Sequence, residues 1–133
     1  MADHGINVSR ADTAVATPNA ATCGIPFVIG TAPLSKATGT AATAGTPVLC
    51  TSYTEAEEQL GYDNDWAKFT VCEVMYYHFK LCACQPVIFL PLAENAEAEA
   101  VAAAVEQVEA CLTMFGIVPD LIMAPGFSKE ATV

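Results

Sequence analysis

The residues best suited to chemistry in this chain are a close pair of cysteines and the histidine that precedes them. Cys82 and Cys84 are separated by one residue, and His78 lies one helical turn before Cys82. These side chains could approach one metal ion, but a structural zinc site needs four ligands and usually two such pairs. We therefore expect no metal here and interpret His78 as a hydrogen-bonded histidine at the edge of the core. A redox pair is the alternative for the two cysteines.

The remaining cysteines each stand alone among apolar neighbours. They are Cys23, Cys50, Cys72 and Cys111. A reduced cysteine in such surroundings packs as a small hydrophobic side chain. We expect all four to be buried, free thiols.

Carboxylates and glycines give no stronger sign of a catalytic site. Asp63, Asn64 and Asp65 resemble the opening of a calcium loop, but residues 66–70 supply neither the further oxygen ligands nor the glycine. Four loops are expected at the carboxyl ends of strands: residues 31–44, 51–54, 91–95 and 125–129. None contains a phosphate-binding glycine pattern or a nucleophile elbow. The sequence therefore predicts a protein that is not an enzyme and holds no cofactor.

Composition limits the partners that the chain can have. It has 133 residues, 53% of them hydrophobic, and a net charge of −10 from 15 acidic and 5 basic residues. This acidity would repel nucleic-acid phosphates and anionic lipids, so we expect no nucleic acid and no membrane as partner. The longest apolar run, residues 86–92, is far below the roughly 20 residues that span a bilayer, and residues 1–10 have no signal-peptide core. We expect a chain made and kept in the cytoplasm.

The predicted elements alternate as in an α/β protein. Continuous apolar runs predict strands at residues 25–31, 47–50, 86–90 and 120–124. Between them we predict helices at residues 55–60, 66–82 and 93–115. The fold class is therefore α/β, with a largely parallel sheet flanked by helices.

Each predicted helix has its own sequence signal. A capping box at residues 54–57 opens the first, and Gly61 ends it. Asp65 is the expected N-cap of the second, which must be buried on more than one side. In the third, the acidic side chains point to solvent or to a partner in assembly, and one apolar stripe is expected to pack on the sheet: Val101, Val105, Val108, Leu112 and Phe115.

The first 22 residues are typical of an extended arm. They are poor in large apolar side chains, with one alternating patch at Ile6 and Val8. We divide the chain into this arm, residues 1–22, with one short strand, and an α/β core, residues 23–133. Ser128 resembles the N-cap of a further helix, so we expect the core to be truncated at its C-terminal end.

Four segments carry a resemblance that covers nearly the whole chain. They are His4-Gly5-Ile6-Asn7-Val8, then residues 24–32, residues 51–61, and residues 118–128 with the strand end Ala124-Pro125-Gly126-Phe127-Ser128. In this order and spacing they resemble the tail sheath proteins of contractile phages and related contractile injection particles. Sheath subunits are considerably longer, so the chain corresponds to their N-terminal part.

The resemblance implies a structural subunit without enzymatic activity. Sheath subunits stack as six-fold rings around an inner tail tube and contract to drive the tube's penetration. The implied partners are further copies of the chain and the inner tail tube protein, and the implied location is the virion tail sheath, assembled in the host bacterial cytoplasm. The resemblance also assigns His4, Gly5, Ile6, Asn7 and Val8 to a strand that pairs between subunits.

The α/β alternation by itself also fits other classes of protein. One alternative is a flavodoxin-like or receiver-like signalling domain, although residues 29–31 and 90–92 lack the carboxylates that a receiver needs. Another is a flavin-binding domain, in which hydroxyls of the loop at residues 31–44 would surround the flavin phosphate.

Overall fold

The fold is a four-stranded mixed sheet with helices on both faces. The computed structural model describes residues 24–83, 86–127 and 129. Its strands are β1 (Pro26–Thr31), β2 (Val48–Cys50), β3 (Val87–Leu92) and β4 (Leu121–Met123), in the order β2-β3-β1-β4. β1 is parallel to β3 and β4, whereas β2 is antiparallel to β3. The predicted α/β class is confirmed.

Helices occupy the connections between the strands. They are α1 (Tyr53–Leu60), α2 (Thr70–Met75), α3 (Ala98–Val105) and α4 (Val108–Phe115), with a π-helix (Tyr76–Leu81) directly after α2 and a 3₁₀ turn at Leu34–Lys36. Within the described part of the chain, none of them combines the length and apolar character that a membrane crossing requires.

The core consists of two apolar layers separated by the sheet. Alternate residues of a strand face opposite sides, so Val28 and Phe89 pack toward α1, α2 and the π-helix, while Phe27 and Leu90 pack toward α3 and α4. Every residue of β1 and β3 is buried. Burial on both faces accounts for the unbroken apolar sequence of these two strands.

β3 continues through Pro91, two residues beyond the predicted end. The Pro91 carbonyl accepts a hydrogen bond of 2.8 Å from the Gly45 N–H. This bond lies on the side of β3 away from β1, so the N–H that proline lacks is not needed by the pairing of β1 with β3.

α1 begins two residues earlier than predicted because a different residue caps it. The Ser52 hydroxyl accepts a hydrogen bond from the Glu55 N–H at 3.2 Å, and the Glu55 carboxylate accepts from the N–H and hydroxyl of Thr51. The capping box predicted at residues 54–57 is therefore wrong by two positions. Gly61 does end the helix, as predicted, with φ at +76° and its N–H on the Glu57 carbonyl.

The predicted helix at residues 66–82 is wrong at its start and in its geometry. The Asp65 carboxylate accepts from the Lys68 N–H at 3.3 Å and caps only a turn, and α2 begins at Thr70. After α2 the backbone continues as the π-helix, whose end is marked by a 2.9 Å bond from the Cys82 N–H to the Tyr77 carbonyl. Burial on more than one side is confirmed, since five of the six α2 residues are buried.

The predicted long helix at residues 93–115 is two helices. The helix is interrupted by a turn at Glu106 and Gln107, where the Gln107 N–H donates a hydrogen bond to the Ala104 carbonyl three residues earlier. The break changes which residues face the sheet, so the predicted stripe is interrupted. Val101 is buried, but Val105 is 37% exposed and Leu112 is 56% exposed.

Several predictions fall on residues outside the described part of the chain. They are the arm with its strand at His4 to Val8, the thiols of Cys23 and Cys84, and the helix start at Ser128.

Candidate functional site

A crevice lies outside the carboxyl ends of β1 and β3. After β1 the chain builds the layer of α1 and α2, and after β3 it builds α3 and α4 on the opposite face. Open α/β sheets bind ligands where two neighbouring parallel strands have connections that lead to opposite faces of the sheet. Two adjoining cavities of about 260 and 330 Å³ lie there. Their lining includes Thr31, Lys68, Thr70, Glu94, Gly126 and Phe127.

The polar groups of the crevice are mostly engaged with one another. Lys68 Nζ lies 3.2 Å from Glu94 Oε2. The Thr31 hydroxyl donates to the Lys68 carbonyl at 2.6 Å and accepts from the Thr70 N–H, while the Thr70 hydroxyl accepts from the Thr31 N–H. Among the described residues, neither hydroxyl is hydrogen-bonded to a histidine or carboxylate that could remove its proton. The described part of the lining therefore holds an ion pair and two hydroxyls that hydrogen-bond to backbone groups.

Three of the four loops expected at this edge reach it. Thr31, Glu94 and Gly126 come from three of them. The loop at residues 51–54 does not, because β2 is antiparallel and its carboxyl end lies at the opposite edge of the sheet. That part of the prediction is wrong.

Gly30 in β1 and Gly126 in the crevice both make room for Thr70. A Cβ on Gly30 would lie 2.4 Å from Thr70 Oγ1, and a Cβ on Gly126 would lie 2.9 Å from Thr70 Cγ2. Gly126 also has φ at +87°. Side chains at either position would displace Thr70, so β1, the start of α2 and the turn after β4 are packed around this residue.

An aromatic surface forms over α1, α2 and the π-helix. It consists of all four tyrosines and the tryptophan of the chain: Tyr53, Tyr62, Trp66, Tyr76 and Tyr77. Neighbouring rings have centroids 5.4–5.9 Å apart. None of the sequence-based predictions includes this surface, although the concentration of these residues between positions 53 and 77 is visible in the sequence.

Lys80 is held at the centre of the aromatic surface. Its ammonium lies 4.1 Å from the centroid of Tyr53 and about 6 Å from those of Tyr62 and Tyr76. The described lysines Lys36 and Lys68 each form an ion pair, whereas no described carboxylate lies within ion-pair distance of Lys80. The tyrosine rings thus position a cation that is exposed to solvent.

His78 lies on the π-helix at the edge of the core, as predicted, but its expected hydrogen bond is missing at one atom. Among the described residues, its Nδ1 is buried without a hydrogen-bond partner. Desolvation by burial lowers the pKa of this imidazole, so the neutral form is favoured. His78 does not line the crevice.

Three of the four cysteines expected to be buried thiols lie in the described residues, and all three fulfil the prediction. Cys50, Cys72 and Cys111 are buried and free. Burial raises the pKa of Cys50 to about 12 and that of Cys72 to about 11. Cys82 is exposed.

The described residues include no cluster of three or more His, Cys, Asp or Glu side chains arranged for a metal ion. Asp63, at the start of the calcium-like segment, pairs with Lys36, and this contact lowers the pKa of the carboxyl.

β4 leaves an apolar edge of the described sheet open. It pairs with β1 through three residues, and no described strand lies on its other side. Leu121 is 53% exposed and Ile122 is 46% exposed. An unpaired edge with apolar side chains is a position where a strand from another chain can add.

A comparison of the chain with known protein families finds no match, and neither does a comparison with curated proteins.

Proposed function

We propose that the chain is a structural subunit of a contractile tail sheath. In this role it assembles with copies of itself into stacked six-fold rings around an inner tail tube, and contraction of the rings drives the tube forward. Its partners are other subunits and the inner tail tube protein, and it works without enzymatic activity.

The observation that carries the proposal is the contact between two of the four segments that resemble sheath proteins. Residues 24–32 contain β1, and residues 118–128 contain β4 and the turn that follows it. The two strands pair in parallel, with Pro26 opposite Leu121 and Val28 opposite Met123. Because Gly30 and Gly126 both pack on Thr70, these two sheath-like segments contact each other and the same side chain.

The open edge of β4 is a second observation that supports the proposal. Sheath assembly by strand addition needs a sheet edge on one subunit and a free strand on its neighbour. The segment from His4 to Val8 alternates apolar and polar residues, which suits a strand with one buried face. We therefore assign this segment to pairing between subunits.

The test compares the full-length wild-type protein with two variants of that strand. Ile6→Ser combined with Val8→Ser removes the apolar face, and Asn7→Ala combined with Ser9→Ala changes the opposite face as a matched control. Sedimentation and negative-stain microscopy should show tubes for the wild type and the control, and soluble protein for the Ile6/Val8 variant. Equally stable tubes from all three would contradict the assignment of the strand. A wild-type monomer with visible absorbance would instead favour the flavin-binding alternative.

A further inference from the structure

Two surfaces on opposite sides of the sheet have complementary character. One is the aromatic surface with Lys80 at its centre. The other, which we call the acidic helical surface, consists of exposed residues of α3, of α4 and of the break between them: Glu99, Glu106, Glu109, Leu112 and Met114. The sequence from Ala98 to Phe115 contains no lysine and no arginine, so every charged residue in this range is acidic.

The aromatic surface has the composition of a protein interface. Tyrosine and tryptophan are enriched among the residues that contribute most to binding between proteins. Tyr77 is 45% exposed, and the neighbouring Leu81 is 58% exposed. The Lys80 side chain is already positioned by three rings, so less conformational entropy is lost when its ammonium meets a carboxylate.

The acidic helical surface offers the groups that such an interface needs. Leu112 is 56% exposed and Met114 is 49% exposed. No ion pair within the described residues uses Glu106 or Glu109. Within the described part of the chain, Glu106 and Glu109 have no paired cation and Lys80 has no paired carboxylate. The two surfaces are therefore complementary in charge, and both expose apolar side chains.

We infer that the aromatic surface of one subunit docks on the acidic helical surface of a second copy of the chain. This inference rests on the proposed function, because it specifies a contact within the proposed assembly. The two surfaces lie on opposite faces of one sheet and cannot meet within a subunit. Contact between two different surfaces of identical chains is heterologous, and it propagates into a ring or a helical filament.

Glu57 and Glu73 belong to the same layer as the aromatic surface. Burial, and after it the negative charge of Glu57, raises the pKa of Tyr53 to about 12. The layer as a whole is therefore not basic. The complementarity is local to Lys80, and the charge-reversal experiment is designed around that single cation.

The test reverses the charge on each surface separately and then on both surfaces together. Lys80→Glu alone, or Glu106→Lys with Glu109→Lys, places like charges across the interface and should raise the concentration needed for assembly roughly tenfold or more. A chain carrying all three substitutions restores opposite charges and should assemble close to the wild-type concentration. Lys129→Glu, the same change in charge at another exposed position, is the control and should have little effect.

The outcomes separate this contact from the proposed function. Circular dichroism should show an unchanged fold for every variant, since the substituted side chains are exposed. Wild-type tubes that are indifferent to Lys80→Glu, or a triple variant that assembles no better than the single reversals, would overturn the contact alone. A full-length wild-type protein that remains monomeric at every concentration would overturn the proposed function and the contact with it.

Discussion

At the scale of single residues, the position of Thr70 explains why glycine occurs near the end of β1 and in the turn after β4. Gly30 in β1 and Gly126 after β4 are far apart in the chain, yet each allows the backbone to approach the same side chain. The sequence identified both glycines as parts of distinctive segments. It could not show that they share a contact, because that depends on the order of strands in the sheet.

Gly126→Ala should destabilise the fold more than Gly45→Ala. Both glycines have positive φ, +87° and +78°, so each substitution carries a backbone cost of about 1–2 kcal/mol. Only Gly126 meets a neighbour, Thr70 Cγ2 at 2.9 Å, and this crowding should add about 1 kcal/mol or more. Urea unfolding measures the difference. Adding Thr70→Ser removes that methyl group and should reduce the difference in the free energy of unfolding between the two alanine variants. An equal loss of stability in Gly126→Ala and Gly45→Ala would contradict the packing.

The cysteines should differ in reactivity according to burial. Cys82 is exposed, whereas Cys50 is buried with a pKa of about 12 and Cys72 with a pKa of about 11. At pH 8 the two buried thiols are almost entirely protonated and react slowly, because the thiolate is the nucleophile. Peptide mapping after a short maleimide pulse should find Cys82 labelled before Cys50 and Cys72, and all six cysteines labelled in denaturant. Labelling of native Cys50 as fast as Cys82 would refute this burial.

At the scale of elements, the strands were easier to predict than the helices. β1 and β3 are buried on both faces, so their sequences are apolar throughout and their positions are plain. Helix ends depend on caps, and two polar residues near the same end compete for that role. Ser52 caps α1, whereas the capping box predicted from the sequence places the cap at Thr54. No sequence period indicates the π-helix.

The position of the α1 cap can be tested directly. Ser52→Ala removes the hydroxyl that accepts from the Glu55 N–H and should lower the free energy of unfolding by about 1 kcal/mol. Thr54→Ala, at the position that the sequence suggested, should change it by less than about 0.5 kcal/mol because Thr54 is exposed. Thermal or urea unfolding of the two variants provides the measurement. A larger loss for Thr54→Ala would contradict the observed cap.

At the scale of the whole molecule, the sheet separates two surfaces with different compositions. The layer of α1 and α2 carries every tyrosine and the tryptophan, and the layer of α3 and α4 carries exposed carboxylates and aliphatic side chains. The sequence predicted the acidic side chains of this second layer but not the exposed aliphatic ones. The break between α3 and α4 turns Leu112 outward beside those acids, which helical periodicity over one continuous helix could not predict.

The proposed role as a repeating subunit of a tail sheath can be tested on the assembled particle. Electron cryomicroscopy of particles formed by the full-length protein would determine their symmetry directly from the images. We expect hollow tubes built of stacked six-fold rings, with the β1–β4 sheet recognisable in every subunit. A discrete monomer or dimer, or a filament without six-fold symmetry, would show that the chain is not a sheath subunit.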